Sequence, residues 1–251
     1  SVDDVFSLTT SKYRNENVDM EVFEDKVSET LEKSTGASFE ESRHSNFDIR
    51  VHFEEENMLV SVRLTEKPLY FREYWQQGRK GSLKTSIAAG LCRIADIEEG
   101  NKLVDNFCGA GTILCEAEVQ GAEVSGGDID REAVQCTREN LKELDGEAAN
   151  RVKKLNATLT SQPDNYFDIA VSNFPWGDQV DLNAVELYSE AIREYSRILK
   201  DDGKIVILGK HPDLAEKYLR KNFTDHEIES FQLGFLGQNP TVTCAAPSHK
   251  I

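Results

Sequence analysis

The alternation of apolar and polar positions changes character along this chain. Residues 1–20 are polar and show no period. From Val22 the spacing Val22, Val27, Leu31 predicts an amphipathic helix that stops near Gly36. Residues 46–53 and 58–64 each alternate apolar with polar side chains, which predicts two strands joined by a turn at Glu54-Glu55-Glu56-Asn57. Beyond Pro68 an aromatic run leads into the turn-rich stretch 77–81. A helix is predicted through Ile87, Ala88, Leu91 and Ile94, with Ser82 as its cap.

From residue 102 the pattern switches regularly between strand and helix. Strands are predicted at 102–105, 123–128, 151–155, 168–172 and 204–208. Helices are predicted at 112–119, 131–144, 182–199 and 214–221. Two closing strands, 226–233 and 240–245, flank Gly234-Phe235-Leu236-Gly237. This order defines an α/β fold: a seven-stranded, mostly parallel, Rossmann-like sheet with helices on both faces and a terminal antiparallel hairpin. Residues 1–67 form a small α+β accessory region, too short for a confident independent core, and residues 68–251 form the main domain.

Composition adds limits. The 251 residues include no apolar run near the ~20 needed to cross a bilayer. The first residues carry no signal pattern. Five cysteines without tight pairing argue against a disulfide framework and against a zinc site, and point to the cytoplasm. The net charge of -16 opposes a nucleic-acid partner, but it is unevenly spread. Residues 61–90 hold 6 bases against 2 acids, in a chain otherwise rich in acids. Arg72, Arg79, Lys80 and Lys84 belong to this basic island. It reads either as a solvated loop or as a phosphate-contacting strip.

The chemistry concentrates in loops after predicted strands. Asp105-Asn106-Phe107-Cys108-Gly109-Ala110-Gly111-Thr112 links a strand to a helix. Gly109 and Gly111 let backbone approach a ligand closely, at the position where doubly wound sheets bind nucleotides. Leu114 stands where a dinucleotide loop needs its third glycine, so a pyrophosphate is disfavoured. Asp105 would repel phosphate but can attract the ammonium of a methionine moiety; it also reads as a capping residue in a tight turn. Asp128, at the next strand end, can accept the ribose hydroxyls of an adenosine, with Ile129 beside it and Asp130 as the following helix cap. Asn156-Ala157, after the third strand, can take the adenine amino group. Ser172-Asn173-Phe174-Pro175-Trp176-Gly177 follows the fourth strand.

These stretches carry a family resemblance. Residues 172–177 resemble the [DN]-P-P-[YFW] signature of amino-methyltransferases. The glycine loop resembles D-P-F-C-G-[SA]-G-T, Gly127-Asp128-Ile129-Asp130 resembles G-x-D-I-D, and residues 79–84 resemble the segment preceding the catalytic domain. The chain thus resembles the THUMP-associated tRNA guanine-N2 methyltransferases of UPF0020 type, over roughly residues 45–250. The strands at 46–64 resemble the end of a THUMP module. The resemblance implies S-adenosylmethionine as cofactor, held by Ser82, Asp105, Phe107, Cys108, Gly109, Gly111, Thr112, Asp128, Ile129, Asn156, Ala157 and Asn173. It implies an RNA substrate, tRNA in particular, with no membrane and no metal; a partner subunit is left open.

At residues 173–176 physical logic stands beside the resemblance. Asn173 can accept one N–H of an exocyclic amine, and a backbone carbonyl next to Pro175 the other, aiming the lone pair at a methyl group. Trp176 can stack on the base. Phe174 replaces the family's first proline and Asn106 replaces the proline of the glycine loop. Phe174 can change which backbone carbonyl faces the substrate, add a stacking ring, alter the target or mark lost catalysis, and Asn106 reads as a neutral change. The competing readings are adenine-N6 methylation of DNA or RNA, and a catalytically silent module that binds cofactor or RNA.

Overall fold

A computed structural model describes residues 4–15, 17–41, 45–65, 67–176, 184–234 and 239–248. The chain divides into two compact units, Ser1–Leu69 and Tyr70–Ile251.

The first unit is a four-stranded sheet in the order β2-β1-β3-β4, with a helix between its first two strands. Strand β1 (Val5–Tyr13) falls where the sequence shows no period. Its Ser/Thr-rich residues become a strand because both flanks are paired, β2 (Ser38–Phe39) and β3 (Phe47–Glu54) lying parallel to it. Helix α1 (Met20–Thr35) starts at Asp19, whose side chain accepts from the Val22 amide, and stops at Gly36 with φ 75°. Its Phe23 ring meets Phe53 edge-on at 5.0 Å. β3 and β4 (Asn57–Arg63) form the expected hairpin, with Glu54 opposite Asn57.

The second unit carries the seven-stranded sheet, in the order β10-β11-β9-β8-β5-β6-β7. In chain order its elements are α2 (Thr85–Ile94), β5 (Lys102–Asp105), α3 (Thr112–Val119), β6 (Glu123–Asp128), α4 (Arg131–Lys142), α5 (Gly146–Asn150), β7 (Val152–Lys154), β8 (Phe167–Asn173), α6 (Ala184–Ile198), β9 (Leu199–Gly209), α7 (Pro212–Asn222), β10 (His226–Gln232) and β11 (Thr241–Pro247). Only β11 runs antiparallel to its neighbours β9 and β10 among the paired strands described. The expected start of α6 at Leu182, and residues 235–237 of the closing turn, lie outside the described residues. The short α5 has no counterpart in the sequence reading.

Side-chain alternation divides the core between the two faces. Leu103, Ile169, Val171, Val206 and Leu208 join Leu91, Leu114 and Leu141 on one side. Val104, Ala170, Ile205 and Ile207 join Tyr188, Ile192, Tyr195 and Leu219 on the other. The central strands, buried on both faces, are apolar along most of their length, as parallel strands are. From β5 the chain steps outward to β6 and β7, then returns to β8 and β9 on the opposite side. The order reverses at β5, so a crevice opens beyond the carboxyl ends of β5, β6 and β8.

A buried ion pair holds the segment ahead of α2. Glu116 of α3, 3% exposed, accepts from Arg72 Nε at 2.5 Å and from the Tyr74 hydroxyl at 2.5 Å. Arg72, expected at RNA, therefore contributes to the packing of residues 72–74 on α3.

Candidate functional site

Three loops at the β5 crevice contain most of the residues singled out from sequence. The first follows β5. Gly111 has φ 82° and begins α3; a Cβ there would sit 2.6 Å from Thr137 Cγ2 of α4. Only glycine lets the loop turn there and lie against α4. The Thr137 hydroxyl donates to the Gly109 carbonyl at 2.9 Å, and the Cys108 amide donates to the Gly127 carbonyl at 3.0 Å. Thr112 is buried in the first turn of α3.

Asp105 is 1% exposed. Its Oδ1 accepts from the Ser172 hydroxyl at 2.5 Å and from the Phe107 amide at 3.0 Å. Among the described residues its Oδ2 has no hydrogen-bond partner. Burial pushes the carboxyl up to about 7, against the two hydrogen bonds, which favour the charged form. Asp105 is thus a turn residue as well as a buried carboxylate with one oxygen unused.

Asp128 ends β6. Its Oδ2 accepts from the Gly109 amide and its Oδ1 from the Asp130 amide, both at 3.0 Å. Each oxygen keeps a lone pair, and the side chain is half-buried. Asp130 caps α4 by accepting from the Glu132 amide. The two aspartates therefore have the separate positions expected of them. Ile129 between them is 67% exposed, an apolar side chain left uncovered beside the strand end. Ala157 is buried, whereas the Asn156 side-chain oxygen accepts from both the amide and the hydroxyl of Thr158. That side chain is committed to its own turn, which corrects the expectation that it faces adenine.

The loop after β8 brings the second set. Asn173 Oδ1 accepts from Trp176 Nε1 at 2.8 Å. An indole N–H only donates, so it fixes which end of the Asn173 amide faces it. Pro175 is exposed and Trp176 half-buried. Phe174 is fully buried, with its ring 4.6 Å from Phe107 and 4.9 Å from Tyr188. It cannot offer stacking surface to a base; its ring fills the core on the α6 side, and only its backbone remains for a substrate. Gly177 lies outside the described residues.

Two further expectations change. Ser82 does not cap α2, whose first turn begins after Lys84 with no side-chain cap. Its hydroxyl instead accepts from the Arg79 amide and donates to the Arg79 carbonyl, closing a turn. Arg79, expected at RNA, pairs with Asp130. Glu132's amide and then Arg79 hold the Asp130 carboxyl below its ordinary value. Lys80 and Lys84 are exposed.

A cavity of about 90 Å³ collects these pieces. Arg79 to Leu83 form one wall, Asp105, Phe107 to Ala110, Thr112 and Ile113 the base, and Asn173 the rim. A larger concavity of about 890 Å³ lies in the first unit, where charges of both signs, Glu24, Asp48, Arg50 and Arg63, line it. Among the described residues no group of His, Cys, Asp and Glu has a metal-holding arrangement, and no helix is long and apolar enough to cross a membrane.

Ser172, Tyr195 and Gln162 take roles that no sequence motif assigns. The Asn106 amide donates to the Tyr195 hydroxyl at 3.0 Å, and the Tyr195 and Ser172 hydroxyls lie 2.5 Å apart. Asn106 and Gln162 exchange two side-chain amide bonds, at 2.9 and 3.0 Å. A signal existed for Tyr195. It lies on the inward stripe Tyr188, Ala191, Ile192, Tyr195, and a tyrosine hydroxyl carried into a core needs a partner.

The sheet order, the glycine loop at the switch point and the Asn-Phe-Pro-Trp turn define the class of Rossmann-like methyltransferase domains. The family model described as UPF0020, RMKL-like methyltransferase domain, matches residues 72–239, and the chain belongs to that family. TrmN from Thermus thermophilus has the same fold, with a TM-score of 0.79 at 24% identity over 98% of this chain and 73% of that one. A tRNA (guanine(10)-N2)-dimethyltransferase of Methanothermobacter thermautotrophicus is 26% identical over 82% of this chain and 65% of its own length. The mouse U6 snRNA (guanine-N(2))-methyltransferase THUMPD2 is 28% identical over 66% of this chain and 31% of its own length. The chain thus spans between about a third and two thirds of these relatives' lengths.

Proposed function

We propose that this chain is an S-adenosylmethionine-dependent RNA methyltransferase acting on the exocyclic amine of guanine, N2 in tRNA being the substrate that fits best. The observation that carries this reading is the shared cavity: a buried carboxylate with one oxygen unused among the described residues, the positive-φ Gly109 of the glycine loop and Asn173 line one space. An orphaned anion beside a glycine cradle suits the ammonium end of the cofactor, and Asp128 suits its ribose. When bound, the cofactor supplies an electrophilic methyl group. Asn173 Oδ1, steadied by Trp176, uses its remaining lone pair to accept an amine N–H and orient the nucleophile. The choice of guanine over adenine rests on relatives named as guanine-N2 methyltransferases.

Incubating purified protein with S-adenosylmethionine and unmodified tRNA, then digesting to nucleosides for mass spectrometry, is expected to yield N2-methylguanosine. N6-methyladenosine would replace the substrate assignment, and no methylated nucleoside from any RNA class would sink the reading.

On this reading the first unit is part of a THUMP-like RNA-binding module, and the basic strip meets phosphate. With Arg72 and Arg79 in ion pairs, the exposed Lys80 becomes the contact to test. Reversing Lys80 to glutamate is expected to reduce the slope of log affinity against log salt by about 1. An unchanged slope would remove the lysine from the interface. The reduced thiols suit the cytoplasm; among the described residues all five cysteines are free.

A further inference from the structure

The hydrogen bonds around Asp105 are one-sided. The Ser172 hydroxyl and the Phe107 amide both go to Oδ1, and among the described residues Oδ2 has no partner although the residue is buried. The single Ser172 proton is spent on Asp105. The 2.5 Å contact between the Ser172 and Tyr195 hydroxyls must therefore be a donation from tyrosine to serine. The Tyr195 oxygen in turn accepts from the Asn106 amide. One directed chain results, running from Asn106 N–H to Tyr195, to Ser172, to Asp105 Oδ1.

We propose that Ser172 and Tyr195 are positioning residues, which lock Asp105 by one oxygen so that the other is presented to the ammonium group of the bound cofactor. This rests on the cofactor reading above. The chain starts in the glycine loop, crosses α6 and returns through β8, so it links three elements that line or back the cavity. Proton donors at Oδ1 favour the charged carboxylate, and bonds in such a chain strengthen one another.

A pH dependence follows. The groups facing Asp105 are Asp128 on β6, Cys108 in the loop, Cys92 on α2 and Tyr195 on α6. Burial raises both thiols and the tyrosine, so these three remain protonated near neutrality. Asp128 adds repulsion that favours protonated Asp105. A ligand bearing an ammonium group therefore binds better as pH rises through about 7, where Asp105 ionises. Losing the serine donor moves that rise to higher pH.

Two probes isolate the effect by calorimetry: S-adenosylhomocysteine, which carries the amino-acid end, and 5'-methylthioadenosine, which lacks it. Ser172→Ala is expected to weaken S-adenosylhomocysteine about tenfold at pH 7 and methylthioadenosine by less than about twofold. Tyr195→Phe should act in the same direction with a smaller loss. Asp105→Asn should flatten the pH profile of S-adenosylhomocysteine, and gives a reading even if Ser172→Ala does not fold. Equal losses for both probes, or a pH profile that no variant moves, would overturn the proposal. If the unaltered protein bound neither probe, the cofactor reading itself would be lost.

Discussion

Asn173→Ala is expected to lower kcat for methyl transfer by about 100-fold, the scale of losing one orienting contact on the nucleophile. An exocyclic amine is a poor nucleophile because its lone pair is drawn into the ring. Most of what the protein can add is orientation, and Asn173 Oδ1 is the acceptor at the cavity rim. Affinity for S-adenosylhomocysteine should change by less than about threefold, because the carboxylates of Asp105 and Asp128 are untouched. The structure adds a control. Trp176→Phe keeps a ring but deletes the N–H that orients the Asn173 amide. The amide can then rotate, and a loss of about tenfold in kcat is expected. Single-turnover rates with saturating tRNA test both variants. Full activity in Asn173→Ala would remove the amine-holding role from this turn.

A large loss of stability is expected from Gly126→Ala. A Cβ at Gly126 would lie 2.0 Å from the Asp105 carbonyl oxygen and 2.9 Å from its carbon. Both atoms are backbone of the paired strand, since Asp105 stands opposite Gly126 in the β5–β6 ladder. No rotamer change can relieve the contact, so the two central strands must part beneath the site. A loss above about 4 kcal/mol is expected, at the exceptional end for one substitution. Urea unfolding measures it. Gly90→Ala is the matching control, because a Cβ there meets nothing within 4 Å on helix α2. It should stabilise by about 0.5–1 kcal/mol. A Gly126→Ala protein as stable as its parent would mean that β5 and β6 are not packed as described.

The sequence made the large domain legible because its signals are local. Buried parallel strands are short apolar runs, and the helices between them keep a 3.6-residue period. β1 was invisible for the opposite reason. Nothing in Ser7, Thr9, Thr10 and Ser11 demands a strand, and the demand comes from β3, more than 30 residues away. The same distance problem affected the basic strip. Arg72 and Arg79 look like free cations in sequence, yet their acids are 44 and 51 positions downstream. Phe174 was misread because a ring beside a substrate turn and a ring turned into the core have the same local pattern; Tyr188 and Tyr195 on α6 decide between them. The cap position falls two residues beyond Ser82, whose hydroxyl satisfies a turn instead of a helix end. What sequence does show well at the site is the order of its parts: the glycine loop, the acidic strand end and the Asn-Phe-Pro-Trp turn occur after the strands that bring them together.

The amide pair between Asn106 and Gln162 has a consequence for how this protein can diverge. Each side chain gives one hydrogen bond and takes one, and Asn106 is 1% exposed. A proline at 106, as in the resembled motif, would erase both side-chain bonds and the N–H that reaches Tyr195. Gln162 would then lose the side-chain amide that answers its own. The two positions are therefore expected to drift together: lineages that keep asparagine at 106 should keep an amide at 162. Those that take proline should release 162, while the tyrosine at 195 keeps its bond to Ser172 and stays, leaving a traceable two-site signature in any set of descendants.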